Sequence, residues 1–205
     1  MLIKEKEITL SGKRVVLVYF EYEPKDRKIW KKLFVSWKIT DSLLRSFWAR
    51  WANLPEWISE VAFCMATWAV RFKELKTWWK KVHASFDTYD LQNSRTQQIK
   101  ASSVEFDLSS FWPRSERDDL YFLDFYNNWK LDWCFDIYKI PTDYIYWTNI
   151  NSTQSFQDQQ REWRRPRLSL KKNIIIPRKI TPIAKDITIS KPFWFLEKFF
   201  ERFKQ

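Results

Sequence analysis

Apolar residues recur at steps of three and four positions along a long stretch of the chain. They are Leu44, Phe47, Trp51, Leu54, Ile58, Val61, Met65, Trp68, Phe72, Leu75, Trp79, Val82 and Phe86. This spacing places them on one face of a helix. Pro55 interrupts the stripe, because proline breaks a helix interior but is tolerated in a first turn. The pattern therefore predicts two helices, over about 41–53 and about 55–84.

The second of these helices is predicted to be the centre of the fold. Between Pro55 and Val70 nearly every position is apolar, which indicates a helix surrounded by protein. Beyond Val70 the polar side becomes basic, with Arg71, Lys73, Lys76, Lys80 and Lys81. The apolar stripe fits packing within one domain, and its sustained heptads also fit the seam of a coiled-coil dimer.

Alternating apolar and polar residues predict strands on both sides of this helical region. Residues 4–10 and 13–22 flank Ser11-Gly12 and predict an opening β-hairpin, followed by a helix over about 27–38. The polar stretch from about 87 to 103 predicts a loop. An antiparallel sheet is predicted from strand candidates at 103–108, 119–126, 129–138 and 143–148.

The last quarter of the chain is strongly basic. Residues 161–179 include eight basic residues and one acidic residue, Glu162. Short apolar pieces separated by prolines follow, which predicts an extended arm over 151–190. Aromatic residues spaced on one face predict a terminal amphipathic helix over 191–205.

These elements predict an α+β protein. A single globular domain over 1–150 is expected to contain the N-terminal β-hairpin, a helical layer around one long central helix, and the antiparallel sheet. No apolar run reaches the roughly 18 to 20 residues of a membrane span. The first residues also lack the apolar region of a secretory signal, so a cytoplasmic protein is expected.

Three rare residue types narrow the range of possible chemistry. Gly12 is the one glycine, whereas phosphate-binding loops and dinucleotide fingerprints need several. His83 is the one histidine, which leaves catalytic triads and metal sites without their usual residue. Cys64 and Cys134 lie in apolar surroundings and are predicted to be reduced core thiols. We therefore expect a protein that is not an enzyme and has no cofactor and no metal site.

A group of aspartates offers one catalytic alternative. Carboxylates suit Mg²⁺, and the candidates for a nuclease centre are Asp118, Asp119, Asp124, Asp132 and Asp136. Their spacing is unspecific, and polar positions on strand faces explain them better than a catalytic centre does.

Residues 101–150 contain nine acidic and four basic residues in a chain of net charge +11. This division predicts a polarised molecule with an acidic sheet.

Binding of nucleic acid, with RNA or single strands preferred, is the predicted function. Arginine forks suit phosphate oxygens, and a tryptophan can stack on a base. The predicted binding residues are Arg161, Trp163, Arg164, Arg165, Arg167, Lys171, Lys172, Arg178, Lys179, Lys73, Lys76, Lys80 and Lys81. The chain would then be a non-enzymatic accessory subunit of a ribonucleoprotein or nucleoprotein assembly, in contact with partner subunits.

Two other functions fit the same features. The basic arm could dock on an acidic protein surface, which would make the chain a protein–protein adaptor or a structural subunit buried by its partners. The aromatic and cationic segment Phe193–Phe203 could instead lie in an anionic membrane interface. That would make the chain a peripheral membrane-binding protein.

Overall fold

A large mixed β-sheet is the centre of the computed structural model, which describes residues 1–48, 52–77, 81–82, 84–113, 117–126 and 134–188. The elements are β1 (Leu2–Leu10), β2 (Lys13–Glu21), α1 (Asp26–Ser46), α2 (Glu56–Ala66), β3 (Val70–Lys76), β4 (Lys81–Val82), β5 (Thr88–Asp90), β6 (Arg95–Ser102), β7 (Ser109–Ser110), β8 (Asp119–Asp124), β9 (Cys134–Ile140), α3 (Thr142–Tyr146), α4 (Phe156–Arg161), β10 (Arg167–Leu168), a π-helical turn (Lys171–Ile175) and β11 (Ala184–Thr188).

The main sheet has the strand order β1-β2-β3-β5-β6-β8-β9-β11, and β4 pairs with β3. Strands β6 and β8 are parallel, whereas the other neighbouring strands are antiparallel. Strands β7 and β10 form a separate antiparallel pair. The sheet is therefore mixed, and the prediction of a purely antiparallel sheet over residues 103–148 is wrong.

The predicted opening hairpin is present. Strands β1 and β2 pair antiparallel across a turn at Ser11 and Gly12, which have φ angles of 48° and 76°. Positive φ at both central residues is the conformation whose twist matches that of the flanking strands. Glycine adopts this conformation without strain, which is why the only glycine of the chain occurs here.

The long central helix is wrong, because α2 ends at Ala66 and residues 70–76 form strand β3. At the helix end, the Thr67 backbone is extended and its hydroxyl donates to the carbonyl of Phe63 at 2.8 Å. The misleading spacing has a structural cause. A bulge between β2 and β3 lets Phe72 and Leu75, three residues apart, contact the same apolar cluster.

Both faces of the sheet are covered. Helices α1 and α2 pack on one face, where Phe63 and Leu123 belong to the same cluster. The other face carries Phe122, which packs with Phe156 and Ile174 from α4 and the π-helical turn. Alternate residues of β8 supply the two clusters, as expected for a strand buried on both sides. None of the helices in the described residues is long and apolar enough to span a membrane.

Several other predicted segments also differ from the structure. The predicted loop over 87–103 contains β5 and β6, the predicted strand at 143–148 contains α3, and 103–108 is not a strand. Residues 167–188 do not form an extended arm, because Leu170 and Ile175 are buried in the body and β11 pairs with β9 at the sheet edge. The terminal helix predicted over 191–205 lies outside the described residues.

Candidate active site

A cavity of about 1310 Å³ opens beside strand β6. Its walls include the turn of the opening hairpin at Ser11, the β5–β6 turn at Ser94, and two exposed tryptophans, Trp112 and Trp163. The polar and charged side chains on which its chemistry depends are Glu56, Asp87, Gln98, Lys100, Arg117 and Arg165. The cavity thus brings together residues from several distant segments of the chain.

Strand β6 directs two of these side chains to the cavity. Its residues alternate, so that Ile99 belongs to the core beneath α2 while Gln98 and Lys100 line the cavity. The ammonium nitrogen of Lys100 lies 5.4 Å from the ring centre of Phe111. An amide and an ammonium group are therefore held side by side by a strand that is fixed in the middle of the sheet.

Asp87 is held between β3 and β6 by its own backbone. Its N–H donates to the carbonyl of Gln97 at 2.9 Å, and its carbonyl accepts from the N–H of Phe72 at 3.0 Å. The carboxylate accepts a hydrogen bond of 2.8 Å from the N–H of Ile99. The Asp87 side chain therefore has little freedom to move away from Gln98 and Lys100.

The Asp87 carboxyl has a strongly raised pKa of about 7. Burial is the main cause, and the negative charge of Glu60 adds to it, whereas Lys100 and the Ile99 N–H act in the opposite direction. Asp87 forms no ion pair with any described residue. Its charge therefore lacks a close cationic partner within the described part of the chain, which is typical of a functional carboxylate.

Helix α2 contributes two glutamates, Glu56 and Glu60, which are four residues apart and thus on one helix face. Glu60 accepts a hydrogen bond of 2.6 Å from Nε of Arg71, so its charge is neutralised by the sheet. Glu56 lines the cavity, and no described cation pairs with it. Glu56 and Asp87 are therefore two acidic groups of the cavity that are available to a ligand. The third acidic residue on its wall, Asp118, accepts hydrogen bonds from the N–H and the hydroxyl group of Thr96.

Two of the predicted nucleic-acid-binding residues, Trp163 and Arg165, line this cavity. The guanidinium carbon of Arg165 lies 3.5 Å from the ring centre of Trp112, so the two groups are stacked. Nearby, the exposed Arg161 and Arg164 have acidic neighbours in Asp158 and Glu162, at 3.9 Å and 3.2 Å. The end of α4 thus brings an aromatic and cationic rim to the cavity.

The remaining predicted binding residues are dispersed. Lys171 pairs with Asp124 at 2.5 Å, Lys76 pairs with Glu5 at 3.0 Å, Arg178 lies over the ring of Tyr144, and Lys73 lies over that of Phe20. Arg167, Lys172 and Lys179 are exposed, Lys81 belongs to β4, and Lys80 lies outside the described residues. Within the described part of the chain, the side chains of Lys73, Lys76, Arg167, Lys171, Lys172, Arg178 and Lys179 do not line the cavity.

Of the aspartates considered for a nuclease centre, Asp119, Asp124 and Asp136 belong to strands of the sheet, whereas Asp118 precedes β8 and lines the cavity. Asp119 accepts from Arg95 at 2.6 Å and pairs with Lys139 at 2.9 Å. Other members of the group accept hydrogen bonds or form ion pairs: Asp118 with Thr96, Asp124 with Lys171, and Asp136 with the N–H of Asp186. Asp132 lies outside the described residues. Within the described ranges, no three histidine, cysteine or acidic side chains converge as metal ligands.

Asp87, Gln98 and Lys100 were not predicted as site residues, because the polar stretch that contains them was interpreted as a loop. One signal was available. Gln98 and Lys100 flank Ile99, so a polar and an apolar position alternate as in a half-buried strand. Recognition of this strand would have placed the two polar side chains on one face, eleven and thirteen residues after Asp87.

Comparisons with known proteins relate the chain to a family of endonucleases. A model of the Bsp6I restriction endonuclease family matches residues 22–177. The chain is 33% identical over 165 residues to "Type II restriction enzyme Bsp6I" of Bacillus sp. (strain RFL6), a match that covers 75% of this chain and 83% of that protein. No solved structure matches the chain.

These matches correct the predicted function. The family and the relative are endonucleases, so the predictions of a non-enzymatic subunit, a ribonucleoprotein component, an adaptor and a membrane-binding protein are wrong. The expectation of a nucleic-acid partner is confirmed in its coarse form, with DNA as the nucleic acid. The match over residues 22–177 and the 33% identity to the relative show that the chain belongs to the Bsp6I restriction endonuclease family.

Proposed function

We propose that the chain hydrolyses phosphodiester bonds of double-stranded DNA in the cavity around Asp87. The observation that carries this proposal is the convergence of Asp87, Gln98 and Lys100 with Glu56 in one cavity that has a basic and aromatic rim. Unpaired acidic oxygens suit a hard cation, and the neighbouring positive groups suit a phosphate. The family to which the chain belongs supports the same reaction.

The residues present fit a divalent cation such as Mg²⁺. Mg²⁺ keeps several waters and usually takes one or two carboxylates together with substrate phosphate oxygens. The Asp87 carboxylate, the Gln98 amide oxygen and the Glu56 carboxylate would hold it. The raised pKa of Asp87 supports this assignment, because a bound cation would supply the close cationic partner that this carboxylate lacks among the described residues. When bound, such a cation would polarise the phosphate and lower the pKa of a water molecule in contact with the cation.

The other groups of the cavity complete the chemistry. The N–H of Ile99 fixes one oxygen of Asp87, and the Lys100 ammonium group stabilises negative charge that develops on the phosphate. Trp163 and the stacked Arg165 lie on the rim, where they contact the DNA backbone or base edges. Phosphate contacts of this kind position the duplex, and base contacts select the sequence.

Cleavage of plasmid DNA by the purified full chain tests the proposal. With Mg²⁺ we expect discrete fragments, and with EDTA we expect none. Asp87→Asn should slow cleavage roughly 10³-fold, because it removes a charged ligand at the reacting centre. Asp136→Asn is the matched control. Burial also raises the pKa of Asp136, but its carboxylate accepts a hydrogen bond from the N–H of Asp186 and does not line the cavity. Equal cleavage rates for Asp87→Asn and wild type would contradict the assignment.

A further inference from the structure

Arg117 has an unusual environment on the wall of the cavity. All three guanidinium nitrogens, Nε, Nη1 and Nη2, are buried and form no hydrogen bond within the described part of the chain. The guanidinium carbon lies 5.1 Å from the ring centre of Phe111. A guanidinium carries five N–H donors, and burial without acceptors is costly. This environment is unfavourable for the free protein.

A second cation increases this imbalance. Lys100 lies over the same Phe111 ring at 5.4 Å, and neither Lys100 nor Arg117 forms an ion pair with a described residue. Asp87 attracts the Arg117 charge through space, but the two groups are not paired. Burial also lowers the pKa of Arg117, which reports the same lack of compensation. Both cations, Lys100 and Arg117, would therefore attract an anion that enters the cavity.

We propose that Arg117 binds a phosphate group of the DNA strand that enters the cavity. The proposal rests on the proposed function, which supplies DNA as the substrate. A phosphate fits better than a base edge, because a phosphodiester carries a negative charge that both neighbouring cations attract and the planar guanidinium fork holds two of its oxygens. The long side chain leaves the Phe111 ring and turns toward the phosphate by rotation about its own bonds.

The unbound protein should gain from removal of this charge. Methionine in place of Arg117 keeps a flexible side chain against Phe111 and removes the uncompensated guanidinium. We expect Arg117→Met to have a melting temperature equal to or above that of wild type. A clearly lower melting temperature, with DNA binding per folded molecule unchanged, would show that Arg117 is a structural residue and would overturn the proposal.

Binding is measured by fluorescence anisotropy in EDTA across a salt series, so that no cleavage occurs. The probe is a labelled duplex isolated from a random-sequence pool by its binding to the wild-type chain. Arg117→Met should weaken binding roughly 10- to 100-fold, as expected for one charge-assisted contact. The slope of log K against log salt should fall by about 0.9, the value for one released phosphate contact. Arg117→Lys should lose less affinity and keep the slope.

Lys28→Met is the control, because Lys28 is an exposed cation of α1 that does not line the cavity. It should keep both the affinity and the slope. Duplexes with one neutral methylphosphonate at a time locate the contact, since one position should weaken wild type and Arg117→Lys but not Arg117→Met. An unchanged slope for Arg117→Met, with wild type cleaving DNA, overturns this inference alone. Failure of wild type to cleave plasmid DNA overturns the proposed function instead.

Discussion

Asp119 and Asp87 are both held against strand β6, but their surroundings are opposite. Asp119 is 5% exposed and forms ion pairs with Arg95 and Lys139. Burial alone would raise its pKa, but the hydrogen bonds from these two cations outweigh burial and lower it. Asp87 has no cationic partner among the described residues, and its pKa rises to about 7. A paired carboxylate stabilises the sheet, whereas an unpaired one is available to a ligand.

The basic residues divide in the same way. Arg95, Lys139 and Lys171 neutralise aspartates of the sheet at distances of 2.5 to 2.9 Å. Lys100 and Arg117 line the cavity and lack such partners within the described residues. The composition of the chain does not reveal this division, because an aspartate or an arginine has the same charge in either setting. Pairing therefore distinguishes the cations that neutralise aspartates of the sheet from those of the cavity that remain available to a ligand.

Among the basic residues, the largest effect is expected from removal of a cation that lines the cavity. Lys100→Met should lower the single-turnover cleavage rate by roughly 10²- to 10³-fold, because a positive group beside the reacting phosphate is lost. The matched variant is Lys139→Met, which removes a paired cation while Arg95 still neutralises Asp119. It should cleave at a rate close to wild type. Similar losses in the two variants would break the comparison.

The paired carboxylate should affect stability instead. Asp119→Ala leaves Arg95 and Lys139 without their acceptor and should lower the free energy of unfolding by about 2 kcal/mol, a value reduced because both cations are partly exposed. Urea unfolding monitored by tryptophan fluorescence measures this difference. Glu56→Gln, at the exposed cavity residue, should stay within about 0.5 kcal/mol of wild type. A larger loss for Glu56→Gln than for Asp119→Ala would contradict the account.

A smaller effect should appear as a pH dependence. The folded-state pKa of Asp87 is raised from 3.8 to about 7, so the native state binds this proton more tightly than the unfolded state. The stabilisation from this group is complete below pH 3.8 and is lost as the pH rises through about 7. Asp87→Asn cannot ionise, so its stability relative to wild type should increase by about 1 kcal/mol between pH 5 and 8, after allowance for solvent screening. Urea unfolding in EDTA at the two pH values measures this; an unchanged difference would show that Asp87 is not perturbed.

Local signals in the sequence predicted some elements correctly. Ser11-Gly12 predicted the hairpin turn, and Pro55 marks the residue just before α2. The prediction that this helix continues beyond Ala66 was wrong, because the bulge in β3 lets Phe72 and Leu75 contact one cluster at a helix-like spacing. Periodicity reports which residues share a face, and a bulged strand can produce the same spacing as a helix.

The cavity was harder to predict than the elements that form it. Glu56, Asp87 and Arg117 come from separate segments, and only the order of the strands brings them to one place. The basic residues near 161–179 drew attention by their number, yet Lys171 neutralises Asp124 in the sheet. The stacked Arg165, one residue of that group, reaches the cavity. Charge counting therefore located a basic region but could not separate paired from unpaired cations.

We propose that the unpaired carboxylate of Asp87 takes part in the cleavage reaction and that the paired carboxylate of Asp119 stabilises the sheet. The most direct test compares the cleavage of a duplex by equal amounts of folded Asp87→Asn and Asp119→Ala, in Mg²⁺ at a temperature where both variants are folded. We predict that Asp119→Ala cleaves at nearly the wild-type rate per folded molecule and that Asp87→Asn is almost inactive. An active Asp87→Asn beside an inactive, folded Asp119→Ala would contradict the account.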